Sequence, residues 1–243
     1  MAFRNSEETR REDNGVTYFL RPQIEGSAGR FDRLAIQTHF VQRGESYIEL
    51  MRKYVAPLAT EGDILCTSEK IIGMCQNNVV EMKDVSPGWW ARNLSKFASR
   101  SAAGIGMDEP HKLQLAINLA RLPRILFACV CHVVGRLFGK RGVFYKVAGH
   151  GIAGIDGFYS HSSFDLYHTI AILNPRDPNG VCAELEGELG IPVYLVDAND
   201  LEREVLGRSP SAPYSDEVFL ELIRDNPAGQ SDELTPLILI RKA

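Results

Sequence analysis

The chain has 243 residues, of which 44% are hydrophobic and 24% charged, and its formal net charge is -4. That length buries a domain-sized core, as one large domain or two small lobes, and the composition is globular rather than disordered or fibrous. The mildly acidic balance gives no bulk positive field for nucleic acid. Residues 1–15 are polar, without the apolar core of a secretory signal, so the chain is read as a soluble cytoplasmic protein large enough to be an enzyme.

Residues 1–30 read as a frayed, flexible arm, with Gly26-Ser27-Ala28-Gly29 as a hinge before a domain over 31–243. Leu34-Ala35-Ile36 has a strand pattern. Over 47–58, Ile48, Met51 and Val55 fall on one helical face. Gly62-Asp63 is a turn, and 64–67 form a short strand leading into Ser68-Glu69-Lys70. Trp89 and Trp90 open a region that runs on into small residues. Residues 110–121 predict a helix, with Asp108 and Glu109 at its positive end. The longest apolar stretch, 125–138, is broken by His132 and Arg136 and is short of the roughly 20 residues that a span needs. It is read as a buried helix or strand pair, with a membrane-surface segment using Arg136, Lys140 and Arg141 as the alternative. Residues 142–147 are β-like. A glycine cluster follows at Gly149, Gly151, Gly154 and Gly157, then a helix over 180–189 and a buried strand over 191–196. Asp200 is expected to cap a helix that starts at Leu201. A helix over 218–224 and a strand over 237–240 complete an α+β fold of mixed sheets and helices.

Five cysteines, Cys66, Cys75, Cys129, Cys131 and Cys182, form no C-x-x-C pair and read as reduced, buried thiols. Cys129 and Cys131 would share one face of a strand beside His132, but no fourth zinc ligand is evident. Gly149-His150-Gly151-Ile152-Ala153-Gly154 matches G-x-G-x-x-G, yet the residues after it lack the helical period of a dinucleotide site. What remains is a glycine-rich strand end carrying Asp156, and a second strand ending at Asp197. Acids so placed can hold Mg²⁺ or Mn²⁺ against phosphate oxygens, or simply cap turns.

The order of these pieces resembles the coenzyme F420-0:L-glutamate ligase family. Ala153-Gly154-Ile155-Asp156 stands for its Ala-Gly-Val-Asp-like segment. Asn174-Pro175-Arg176-Asp177-Pro178-Asn179 stands for its Leu-Pro-x-Asp-Pro-Asp, and Val196-Asp197-Ala198 for its Ser-Asp-Thr. Upstream, Gln37-Thr38-His39-Phe40 lies at the nucleotide-contacting turn, Gly62-Asp63 matches the family dipeptide, and 64–70 supply its strand and lysine. Gly229-Gln230-Ser231-Asp232 through Pro236 fit the C-terminal pattern. The chain departs from the family at Ala198, where the family has threonine, and at Met74, where it has a second lysine. It departs also at Gly157-Phe158-Tyr159 and over the divergent segment 85–145.

The resemblance implies a GTP-dependent ligase, with ATP as the other candidate, that joins an amino acid or amine to a carboxylate through an acyl phosphate. It implies Mg²⁺ or Mn²⁺, with Asp156, Asp197 and Gln230 as metal ligands and the two aspartates on one cation. It assigns Thr38, His39, Lys70, Gly154 and Gln230 to the nucleotide, and Lys70 and His150 to catalysis. His39 and His150 also read as ordinary hydrogen-bonded histidines, and Lys70 as a solvated turn residue. The family's intertwined dimer implies a homodimer. Neither nucleic acid nor a membrane is among the expected partners. The departures leave a second reading, a non-catalytic nucleotide-binding sensor or partner-binding protein.

Overall fold

A computed structural model describes residues 4–98, 107–140, 142–158, 166–198, 203–229 and 233–243. Instead of one body from residue 31 onward, the chain forms two compact units. The first is Met1–Asn77 with Pro175–Ala243, and the second is Asn78–Asn174.

In chain order the first unit opens with strands β1 (Arg10–Asp13), β2 (Val16–Gly26) and β3 (Gly29–Ile36), helix α1 (Tyr47–Tyr54), strand β4 (Ile64–Ser68) and helix α2 (Glu69–Cys75). The second unit holds β5 (Val79–Glu81), α3 (Trp89–Leu94), α4 (Pro110–Ala120), α5 (Leu122–Leu137), α6 (Val143–Ala148), α7 (His150–Ala153), β6 (Asp156–Gly157), α8 (Leu166–Thr169) and β7 (Ile170–Ile172). The chain then returns to the first unit with α9 (Pro178–Leu189), β8 (Val193–Ala198), β9 (Arg203–Arg208), α10 (Asp216–Leu222) and β10 (Leu237–Lys242).

The first unit is built on a seven-stranded sheet in the order β1-β2-β3-β10-β4-β8-β9. β4 and β8 run parallel, and β10 is antiparallel to both β3 and β4. The central strands are apolar on both faces because both faces are covered. Leu65, Val193, Leu195, Leu237 and Leu239 pack with Met51 and Val55 of α1 and Val181 and Leu185 of α9. Their alternates Ile64, Cys66, Tyr194, Val196, Ile238 and Ile240 pack with Phe219 and Leu222 of α10.

The N-terminal stretch is not a loose arm. Asn14 and Gly15 both take positive φ, and Asp13 pairs with Val16, which is a two-residue hairpin turn. Along β2, Val16, Tyr18 and Leu20 face one core and Phe19 the other. A register shift between Arg21 and Ile24, at Pro22, moves Ile24 onto the Phe19 side. The Gly26–Gly29 hinge is the turn of the β2–β3 hairpin, where Gly26 pairs with Gly29. β1 is a fully exposed edge of four charged residues, which discourages edge pairing with another chain.

The second unit packs Leu113, Leu115 and Ala116 of α4, Ile125 and Ala128 of α5, and Ala148, Ile152 and Ile155 beneath a three-stranded sheet β5-β7-β6. The β-like reading of 142–147 fails here. Gly142, at φ 71, starts helix α6, and Val143 seats on Gly135 of α5, where a Cβ would lie 2.7 Å away. Packing on α5 and burial of Ala148 thus override the β-propensity of Val143, Phe144 and Tyr145. The helix expected from Leu201 is likewise corrected: residues 203–208 form β9, and Asp200 lies outside the described residues. Cys129 and Cys131 sit on α5, where positions two apart point to different sides, so they share no face. All five cysteines are free, and burial raises Cys75 and Cys182 to about 12, well away from reactive thiolate. No helix among the described residues is long and apolar enough to cross a membrane by itself.

Candidate functional site

Because β3 and β4 both run antiparallel to β10, and β8 runs parallel to β4, the C-terminal ends of β3, β4 and β8 emerge at one end of the sheet. Ligands of open α/β sheets gather at such ends. Ile36 and Thr67 both pair with Leu237, and Ser68 pairs with Val196. The residues that follow, Thr38, Glu69-Lys70 and Asp197, are therefore delivered to the same edge.

Glu69 and Asp197 are one step past the paired Ser68 and Val196 on neighbouring parallel strands, which makes the two acids neighbours. Both acids and Lys70 are half-buried. Burial is the main cause that lifts the Glu69 carboxyl to about 7. The charge of Asp197 adds to the lift, while Lys70 and the Ser68 hydroxyl, 3.3 Å away, oppose it. Burial also lowers Lys70 below the ordinary lysine range, against the pull of Glu69 and Asp197. Part of each side chain is open to solvent, yet enough protein surrounds the cluster for desolvation to dominate. Lys70 is thus no solvated turn residue.

The sign of the resulting pH dependence is fixed. A carboxyl held near 7 in the fold and near its ordinary value of ~4.3 when unfolded stabilises the fold fully below the lower value and loses that contribution as pH rises through 7. Metal-free chain is therefore expected to lose stability relative to Glu69→Gln between about pH 5 and about pH 8, by on the order of 2 kcal/mol. Paired thermal melts across that window read it; parallel curves for the two proteins would remove Glu69 from the cluster.

The other sequence-predicted residues fall as follows. Thr38 is buried just past β3, and its amide donates to the Leu234 carbonyl at 2.9 Å. Both ring nitrogens of His39 are engaged, Nδ1 with the Tyr54 hydroxyl at 2.9 Å and Nε2 with Glu45 at 2.8 Å. Asp156 opens β6 in the second unit, paired in register with Ile172, whereas Asp197 belongs to the first. It therefore starts a two-residue strand instead of ending a long one. Gly154 is where the Asn174 side chain lies: a Cβ there would meet Asn174 Oδ1 at 1.5 Å. Gly157, at φ 153, leaves no room against the Ile170 carbonyl. These glycines thus serve close packing inside the second unit. His150 is the first residue of α7, and its side chain lies outside what is described, as does the whole of Gln230.

Two residues beside the site were not singled out from sequence. Thr67 is fully buried, and its Oγ1 has no partner among the described residues. Glu69 is the other, because the signal for it is the β4–β8 register, which no local pattern displays. Asp63 of the Gly62-Asp63 dipeptide has a structural role: it is fully buried and receives both Nε and Nη2 of Arg241 at 2.7 Å, with the Thr60 amide at 2.9 Å.

The cation implied by the resemblance suits this donor set. Glu69 and Asp197 offer hard oxygens close together, with Asp197 raising the Glu69 carboxyl and Lys70 opposing that rise. No group of three or more His, Cys, Asp or Glu able to hold a metal occurs among the described residues. A cation here would complete its shell with water and phosphate oxygens, as Mg²⁺ commonly does.

No curated protein matches the sequence. The family model described as F420-0:Gamma-glutamyl ligase matches residues 35–192. The match runs from β3 into the approach to β8, through Thr38, Lys70, Gly154, Asp156 and the whole of 85–145, and stops before Asp197. With more than half of its 243 residues matched, the chain belongs to the F420-0:gamma-glutamyl ligase family.

Proposed function

We propose that this ligase-family chain is an NTP-dependent amide ligase, which activates a carboxylate as an acyl phosphate and transfers it to an amino acid or amine, with GTP as the co-substrate and Mg²⁺ or Mn²⁺ as the metal. The family match over 35–192 carries the reading. The Glu69–Lys70–Asp197 cluster at the sheet end supports it with chemistry.

In the first step a substrate carboxylate oxygen attacks the γ-phosphorus, the bond to the leaving diphosphate breaks, and acyl phosphate and nucleoside diphosphate result. Phosphoryl transfer of this kind needs mostly position and neutralised charge. Lys70 supplies a point charge for a phosphate oxygen. Glu69 and Asp197 would hold the cation, which when bound neutralises phosphate charge; Glu69, held near 7, gives up its proton to do so. In the second step the amine attacks the acyl carbon, the C–O bond to phosphate breaks, and one amine proton is released. His150 is the proposed acceptor. Thr38, His39, Gly154, Asp156 and Gln230 join the proposal through the order of the family motifs, and a homodimer is part of it.

Thermal-shift measurements with GTP or ATP, each with Mg²⁺ or Mn²⁺, test nucleotide use. Ligand at 100 times Kd adds about 2.7 kcal/mol, and the absence of any metal-dependent shift would sink the reading. Phosphate release that requires both a carboxylate and an amine separates the ligase from the sensor. One observation favours the sensor: Met74, at the family's second lysine, is buried and offers no charge to a ligand.

A further inference from the structure

Every large apolar side chain that stands exposed among the described residues lies between Trp89 and Phe138, in the second unit. The main stripe is on α5. Phe127, Val130, Val134 and Leu137 recur at helical spacing, and Phe127 is 62% and Leu137 80% exposed. The opposite side of the same helix, Ile125 and Ala128, is buried in the unit's own core. A helix apolar on both sides needs a second cover. Trp89 and Trp90, 66% and 42% exposed, stand out in the same unit and do not fill the core.

Charge identifies the cover. Residues 89–148 carry ten Lys and Arg against Asp108 and Glu109, a net of +8 in a chain of net -4, which leaves -12 for the remainder. Arg121 before α5, Lys140 after it and Lys146 on α6 are exposed, while on α5 itself Arg136 lies to another side of the helix from Val134 and Arg124 donates to the Val147 carbonyl. Two copies joined face to face through such a surface would bring like charges together. Nucleic acid would match the charge and leave the apolar stripe without a partner. An anionic bilayer meets both, since phosphate headgroups attract the basic residues and the boundary with the acyl chains takes Phe, Leu, Val and Trp.

No single helix among the described residues is long and apolar enough to cross a bilayer. α4 and α5 meet at 114° across Arg121, and α5 spans 16 residues, about 24 Å against a hydrocarbon core of about 30 Å. We propose that the second unit docks through the exposed α5 face on a membrane surface rich in anionic lipid, with the stripe at the headgroup–acyl boundary. This takes up the membrane-surface alternative that residues 125–138 with Arg136, Lys140 and Arg141 offered in sequence, and it is independent of the ligase reading.

Flotation of the full chain with phosphatidylcholine vesicles, with or without phosphatidylglycerol, tests it at about 0.1 M and about 1 M salt. The chain should float with the anionic vesicles at low salt and remain unbound with neutral ones. Lys140→Glu with Lys146→Glu should lower partitioning by more than roughly tenfold, since each basic residue near the surface contributes about fivefold. Phe127→Ser with Leu137→Ser should lower it at least roughly tenfold through lost apolar burial. All four positions are exposed, so circular-dichroism melts of both variants should match the parent. Failure of the parent chain to float, equal flotation with neutral vesicles, or full flotation of the Ser variant would overturn the proposal. So would a vesicle-free dimer that the Ser variant dissociates, because a second copy would then be the cover.

Discussion

Exchanging Lys70 for methionine is expected to lower kcat/KM for amide ligation by at least about 100-fold while leaving the chain folded. Methionine keeps most of the apolar stem and removes the ammonium. The loss should be large because Lys70 sits in a partly desolvated cluster beside Glu69 and Asp197, where a single charge is worth far more than in water. Nucleotide affinity, measured by titration with metal present, should fall alongside. Stability should respond with a pH signature: without Lys70 the two acids lose the charge that partly offsets them, so the variant should be weaker above pH 7 than at pH 5, where Glu69 is protonated. Wild-type affinity and turnover in the methionine variant would take Lys70 out of the site and leave the family match without its chemical support.

Asp63→Ala should destabilise the first unit by about 3–5 kcal/mol. The carboxylate is fully buried and binds Arg241 at two points, while also accepting the Thr60 amide that closes the turn through Gly62. Its removal strands half-buried positive charge on β10, the strand between β3 and β4. Urea melts read the loss. Asp63→Asn, which keeps the shape and surrenders the charge, should retain part of the stability. A loss below about 1 kcal/mol in the alanine variant would show that the pair is replaced by solvent at little cost.

Much of the fold was legible wherever a period was long or a punctuating residue strong. The strand 191–196, the helices 110–121 and 180–189 and the turn Gly62-Asp63 stand where sequence placed them, within a few residues. The N-terminal hairpins are hidden in the sequence although Asn14-Gly15 is a strong hairpin signal. The charges of β1 and Pro22 in β2 disguised the alternation, and the parity change at the bulge completed the disguise. Helix α6 was hidden for another reason, since its β-branched and aromatic residues are helical only because α5 offers a glycine to pack on. In the candidate cluster, Lys70 and Asp197 are reachable from motif order. Glu69 is not, because it comes beside Asp197 only through the Ser68–Val196 register of strands more than a hundred residues apart. The exposed α5 stripe looked like core for a related reason: hydrophobicity shows which residues seek cover and is silent on what supplies it.

The position of β10 in the sheet sets an order of events during synthesis. The second unit is one continuous stretch, Asn78–Asn174, and the contacts of its helices are local, so it can collapse as soon as it has been made. The first unit has to wait. β3 and β4 have no bond to each other, and the strand that separates and joins them is Leu237–Lys242, so Ile36, paired with Tyr18 on one side, acquires its second partner only after about two hundred further residues have been added. In that interval two apolar strand edges stand open, and a chaperone able to shield them would find its substrate there rather than in the second unit. Ribosome-bound chains halted before Leu237 should therefore show a protease-resistant fragment from within 78–174 and a first unit that is still cleaved throughout.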